Sequence, residues 1–329
     1  SGSTHQAIRD ALPWQALGEL HLRGVAHPVE AWRLCRVGES GTVGGPGPAR
    51  RQIGRDDELG QLLQDWQQAR HGQPRVVLIE GEPGIGKSHL LAQLRQKARG
   101  DGALSLVLRC SPYHAASEWF PVIEGMERLA QFQPQDDAHE RYRKLQACLP
   151  PEMAGQEQDV QLLARMLRAS PEGPAPALNL APVLAKKRTE AAVLRWLNLV
   201  VLQHPIMLAV EDLHWADPST LALVGSLAEQ MASQRLLLVL TQRAGDSARW
   251  APTPSTRHLV LDRLPSEAAE ALLLHCMGGK RLPAVVVRRI IENTDGVPLF
   301  IEEFTRTVLE SDVLQETPGG FELRVALPV

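Results

Sequence analysis

The run Gly81-Glu-Pro-Gly-Ile-Gly-Lys-Ser88 sets three glycines ahead of a lysine and a hydroxyl. Those residue types in that order suit the holding of phosphate. Gly81, Gly84 and Gly86 let the main chain through Glu82, Pro83 and Ile85 curl around an anion. Lys87 brings a point charge for β- and γ-phosphates, and Ser88 brings a hydroxyl for Mg2+. His89 follows as the first residue beyond the pattern and completes the candidate nucleotide contacts of this loop.

Phosphate chemistry with Mg2+ also needs carboxylates. The apolar run Ile206-Met-Leu-Ala-Val210 ends in Glu211-Asp212. Adjacent side chains on a strand point to opposite faces, so the two acids should not share one role. Glu211 is the candidate for the metal side, and Asp212 the candidate to orient or deprotonate an attacking water. A second apolar run, Leu236–Leu240, ends in Thr241-Gln242-Arg243, where Arg243 is a candidate to stabilise developing charge beside Lys87 and Asp212. Asp217 before Pro218 reads as a helix N-cap, a structural role. His214 reads equally well as a contact to the site and as a packed loop residue.

The elements around these residues alternate. Strands are expected at Val76–Glu80, Leu104–Arg109, Ile206–Val210, Leu236–Thr241 and His258–Leu261. Helices are expected at Asp57–Arg70, after Ser88, at Lys187–Leu202 and at Ser219–Met231. Such alternation predicts an α/β fold, a parallel sheet covered on both faces. Between the second and third strands a helical insertion is expected, with helices at Pro121–Phe132 and near Gln158–Arg168 and a loop at Ser170–Pro176. After Leu264 the pattern becomes helical, at Ser266–Cys276, Pro283–Asn293 and Leu299–Leu309, and Pro318–Val325 reads as the beginning of a hairpin. At the other end, Gly18–Pro28 reads as a turn-rich hairpin, Trp32–Val37 as a strand, and 38–50 as a Gly/Pro linker. The expected division is therefore 1–37, the linker 38–50, a phosphate-binding domain over 51–264, a helical lid over 265–313, and a further unit beginning at 314–329.

Composition excludes several other classes. A formal charge of −3 with no long basic block argues against a dedicated nucleic-acid surface. No apolar run reaches transmembrane length. The four cysteines, Cys35, Cys110, Cys148 and Cys276, have no zinc spacing, and reduced thiols place the chain in the cytoplasm. The start Ser1-Gly-Ser-Thr has neither the charge nor the apolar run of a signal peptide and no initiator methionine, so the chain is expected to begin inside a longer or processed protein.

Together these features resemble the STAND class of P-loop ATPases, signal-transduction ATPases with numerous domains, and in particular the AAA-like modules of bacterial multidomain regulators. Ile53-Gly54-Arg55 with Glu58-Leu59 resembles the opening motif beside the adenine. Cys110–His114 with Pro121–Glu124 resembles the segment after the second strand, and Glu211–Pro218 resembles the extended Walker B. Thr294–Glu303 is similar to the G-x-P motif, in which Pro298 would approach the base from the lid. The resemblance implies an ATP- or ADP-binding switch with Mg2+, slow ATP hydrolysis, possible ATP-dependent assembly, and a winged-helix unit starting at 314–329. It differs in carrying Glu211 where relatives often have Asp.

Gly18–Val29 with Ala31–Leu34 resembles the closing hairpin of a class III adenylate/guanylate cyclase domain. The metal-binding aspartates of such a domain would lie upstream, so this fragment is not expected to make cyclic nucleotide. The implied partners are a cyclase-type domain and a sensor domain in the same longer chain. Alternatives from the residues are a nucleotide-binding module with little hydrolysis, the ATPase module of a LuxR-type transcription regulator, and a small-molecule kinase. The absence of an N/T-K-x-D element favours adenine over guanine.

Overall fold

The computed structural model describes residues 14–20, 29–34, 53–171, 180–230, 234–245, 250, 254–311, 314–317 and 320–323. In chain order the strands are β1 (Trp14–Leu20), β2 (Val29–Leu34), β3 (Arg75–Gly81), β4 (Leu104–Arg109), β5 (Ile206–Glu211), β6 (Leu236–Gln242), β7 (Thr256–Leu261), β8 (Leu314–Thr317) and β9 (Gly320–Leu323). The helices are α1 (Asp56–Arg70), α2 (Lys87–Gly100), α3 (Phe120–Leu129), α4 (Ala138–Cys148), α5 (Glu157–Met166), α6 (Pro182–Gln203), α7 (Pro218–Gln230), α8 (Ser266–Cys276), α9 (Ala284–Thr294) and α10 (Pro298–Glu310).

The chain forms two compact units, residues 1–51 and 52–329. In the first, β1 and β2 pair antiparallel, from Trp14 opposite Leu34 to Leu20 opposite Val29. The second strand begins three residues before the expected Trp32, and positions 35–37 and the linker 38–50 lie outside the described residues.

The second unit is α/β. Its five strands run parallel in the order β4-β5-β6-β3-β7. Alternation along each strand feeds two separate cores. Val77, Ile79, Val107, Met207, Ala209, Leu237 and Val239 face α1 and α2, where Leu62, Trp66, Leu90, Leu91 and Leu94 are fully buried. Leu78, Leu106, Leu108, Leu208, Val210, Leu238 and Leu240 face the opposite core with α3, α6 and α7. Each leucine so enclosed stabilises the fold by about 1.5–3 kcal/mol relative to exposure. On the outer edge, Arg128 Nη2 of α3 donates to the carbonyl of Val107 in β4 at 2.5 Å. Gly125 lets α3 approach, since a Cβ there would stand 2.7 Å from Leu108 Cδ2.

A third core forms the lid. Leu264, Leu273, Met277, Val286, Ile290 and Ile301 bring α8, α9 and α10 together, and Ile53 packs against them. The β8–β9 hairpin docks on this lid through the Phe321 amide, which donates to Arg281 O at 2.9 Å.

The insertion differs from expectation. It contains a further helix, α4, whose one buried residue is Leu145. The Pro121–Phe132 helix ends at Leu129, because Gln131 takes a left-handed conformation (φ 55°). The helix expected from Lys187 begins at Pro182, with proline at its first position. The tail hairpin begins earlier than expected, with β8 preceding Pro318.

Candidate functional site

β3 delivers the chain to the loop and α2 receives it. Gly86 is the N-cap of α2 at φ 103°, a conformation L side chains rarely adopt, and a Cβ there would project into open space. The backbone turn at Gly86 opens the N-terminus of α2, where an anion is stabilised by free N–H groups and the helix dipole. Lys87 is buried, and its Nζ donates to Gly81 O at 2.6 Å and Glu82 O at 3.0 Å. An ammonium has three donors, so the side chain is tethered over the loop with one donor beyond these two bonds. Burial pushes the Lys87 ammonium below its ordinary value; the charge of Asp212 opposes this and that of Arg243 adds to it. Among the other loop residues, Ile85 is buried, Glu82 and Pro83 are exposed, and His89 is half-buried with its ring nitrogen 3.1 Å from Gln93 Nε2.

Of the two acids, Glu211 ends β5 and Asp212 lies just beyond it. Ser88 Oγ donates to Glu211 Oε2 at 3.2 Å. Asp212 leaves the strand in a left-handed conformation (φ 56°), and its amide donates to Thr241 Oγ1 at 3.0 Å. Thr241 therefore fixes where the second acid begins. Arg243 is exposed, with its guanidinium 5.7 Å from the ring centre of Trp215. His214 is buried and tilted against Trp215, the packed one of its two readings. Asp217 caps α7: its Oδ1 accepts from the amides of Ser219, Thr220 and Trp119, and its Oδ2 accepts from Thr220 Oγ1.

Mg2+ prefers hard oxygen donors, and the Ser88 hydroxyl beside the Glu211 carboxylate is such a set. These two side chains fit the ion and would hold it. Bound there, Mg2+ would neutralise charge on the β- and γ-phosphates. Lys87 would hold the same phosphates, and the charge of Asp212, the residue after β5, acts on Lys87.

The lid reaches the loop directly. The amide of Leu299, in the first turn of α10, donates to Gly84 O at 3.2 Å. Arg263 Nη2 and Nε pair with Glu82 at 3.1 and 3.3 Å, and Arg263 Nη1 also pairs with Asp295. The junction near Leu264–Ser266 is braced. Leu264 donates to Gly296 O at 2.9 Å, and buried Arg55 donates to Asp262 O and pairs with Glu58. Gly54 belongs to the same brace, for a Cβ there would meet Ala268 Cβ at 2.5 Å. Ile53, Gly54 and Arg55 are thus placed against the lid, and Pro298 is half-buried one residue before the Leu299 contact.

Sequence reasoning missed Arg109 and Arg263. Arg109 is visible only once β4 and β5 are known to be register partners, and Arg263 only once the lid is docked.

The AAA ATPase domain family matches residues 51–240, more than half of the chain. The chain belongs to the AAA ATPase domain family. An uncharacterized protein of Rhizobium meliloti is 29% identical to this AAA ATPase module over 310 residues, 89% of the chain; the chain spans 29% of that protein's length. Among solved structures, Cdc6p from Pyrobaculum aerophilum is similar at 13% identity and a TM-score of 0.43, over 70% of this chain and 51% of that one. The Orc1 protein of Aeropyrum pernix, solved in complex with DNA, is similar at 14% identity and a TM-score of 0.42, over 79% and 61%. RuvB of Thermotoga maritima is similar at 13% identity and a TM-score of 0.40, over 79% and 65%. Similarity of that order transfers no property to this AAA module. No helix among its described residues is long and apolar enough to cross a membrane.

Proposed function

We propose that this AAA ATPase module is a STAND-type switch: it binds ATP or ADP with Mg2+ and passes the state of its nucleotide site to an attached output domain through its lid. The observation that carries the reading is the bond from the lid amide of Leu299 to the loop carbonyl of Gly84. A ligand that displaces the loop would alter that bond and so transmit its state to the lid. Such a switch works to the extent that ADP and ATP differ in affinity for the closed and open lid.

In this reading Lys87, Ser88 and Glu211 hold phosphate and metal, Asp212 activates water, Arg243 stabilises developing charge, and Ile53, Gly54, Arg55 and Pro298 bound the base. Hydrolysis is slow and resets the switch. The output is a cyclase-type domain whose closing hairpin would be β1–β2, with a sensor following the winged-helix unit that β8–β9 would open. ATP-driven assembly belongs to the same proposal.

The test is the nucleotide retained on purification, identified after denaturation, together with turnover by wild type, Lys87→Ala and Asp212→Asn. Retained ADP, lost in Lys87→Ala, is expected. Tight ATP binding by Lys87→Ala sinks the assignment. Equal turnover by wild type and Asp212→Asn converts the module into a binder without useful hydrolysis.

A further inference from the structure

Glu211 stands where a metal carboxylate is wanted, but it has one more rotatable bond than aspartate. It must be held if it is to present a defined oxygen. Arg109 and Glu211 are register partners at the C-terminal ends of β4 and β5. Their side chains leave the sheet on one face, the face on which Val107 and Ala209, two residues earlier, pack with Leu90 and Leu91 of α2. Arg109 Nε lies 3.7 Å from Glu211 Oε1, while Ser88 Oγ bonds the other oxygen, Oε2. The Glu211 side chain is 12% exposed and that of Arg109 is 46% exposed, so the arginine reaches a screened acid from the solvent side. The neighbouring Arg95 also acts on Glu211 through its charge, but its Nε donates to Ser105 Oγ at 3.2 Å, and it is Arg109 that forms the ion pair with Oε1.

We infer that Arg109 is a positioning residue for the metal carboxylate: it holds Oε1 of Glu211 so that Oε2 stays turned toward Ser88. One carboxylate thereby serves two partners, and the extra rotatable bond of the longer acid is constrained by the second of them. The inference rests on Ser88 and Glu211 being the metal side of a nucleotide site. A cation beside a metal site also repels the metal. The geometry favours orientation over repulsion because Arg109 contacts the oxygen farther from Ser88 and is itself half in water, where its charge is screened.

The experiment uses the full chain with ADP and Mn2+ as the probe, reading Mn2+ binding by electron paramagnetic resonance. ADP affinity in EDTA is measured in parallel. Loss of an outer partner of a metal ligand costs metal affinity, and for a half-exposed arginine about tenfold is expected in Arg109→Ala. Arg109→Gln, which keeps most of the stem, should lose as much, and Arg109→Lys should recover most of it. ADP affinity in EDTA should match wild type in all three. Mn2+ binding by Arg109→Ala or Arg109→Gln at or above the wild-type level overturns the inference, and a gain marks Arg109 as a competitor of the metal. A fall in metal-free ADP binding equal to the fall in Mn2+ binding also overturns it, since the effect is then general. If wild type itself binds no ADP, the nucleotide-site reading fails, an outcome distinct from the others.

Discussion

The Leu299 amide donates to the Gly84 carbonyl at 3.2 Å, so the first turn of the lid helix rests on the crest of the phosphate-binding loop. Gly84 lies at φ 78°, and a Cβ there would stand 3.0 Å from Leu299 Cβ. Gly84→Ala therefore strains the loop and pushes the lid at once. Left-handed backbone alone costs an L residue about 1–2 kcal/mol. The expected result is a lowered thermal midpoint and faster tryptic cleavage after Arg263, whose pairing with Glu82 and Asp295 depends on a docked lid. Cleavage at the wild-type rate would show that the lid does not need this contact.

With Lys87 as the proposed phosphate contact, nucleotide binding should depend on pH. Burial lowers its ammonium from the ordinary 10.5, so between the lowered value and 10.5 the unfolded chain binds the extra proton. The resulting penalty on the folded state is present at neutral pH and is relieved as pH rises through that window. Phosphate binding has the opposite sign, since it needs the charged ammonium. Stabilisation of the protein by added nucleotide should shrink from neutral pH toward about pH 10. Thermal shifts that stay constant across this range would remove Lys87 as the phosphate contact.

Cys110 lies just after β4, beside the acids of the site. Burial pushes its thiol up to about 12, with the charges of Asp217 and Asp212 adding to the shift. Burial likewise raises Cys148 to about 11. Both should resist iodoacetamide at mildly alkaline pH in the folded protein and react after denaturation, as read by mass spectrometry. Prompt labelling of Cys110 in the native protein would contradict the packing around Asp217.

Asp217 is buried and gathers three amides and a hydroxyl. Asp217→Ala removes a helix cap and leaves the Trp119 amide without its acceptor, together worth roughly 2–4 kcal/mol. Urea denaturation should show that loss, with Asp217→Asn recovering part of it. Asp212→Asn, whose amide bond to Thr241 survives, should leave the midpoint near wild type.

Much of this arrangement is legible in the amino-acid sequence for physical reasons. The central strands are short apolar runs because both their faces are buried, and Ser266–Cys276 is read to the residue because its buried Ala269, Leu272 and Leu273 keep helical spacing. Glu211 is the last residue of β5, but Asp212 lies beyond it in a left-handed turn that strand alternation does not anticipate. The helix Ala138–Cys148 is not legible, since its face buries little beyond Leu145 and it is held by polar contacts such as Asp137 to the Glu140 amide. The bracing role of Ile53–Arg55 is hidden for another reason. Its partners Asp262, Leu264 and Ala268 lie more than two hundred residues away, and only the docked lid brings them together.

Arg128 holds the outward carbonyl of Val107 on the outermost strand of the sheet. An incoming strand would have to evict that guanidinium before it could pair. That occupied carbonyl makes β4 a poor template for another strand, a built-in guard against edge-to-edge pairing at this end of the sheet.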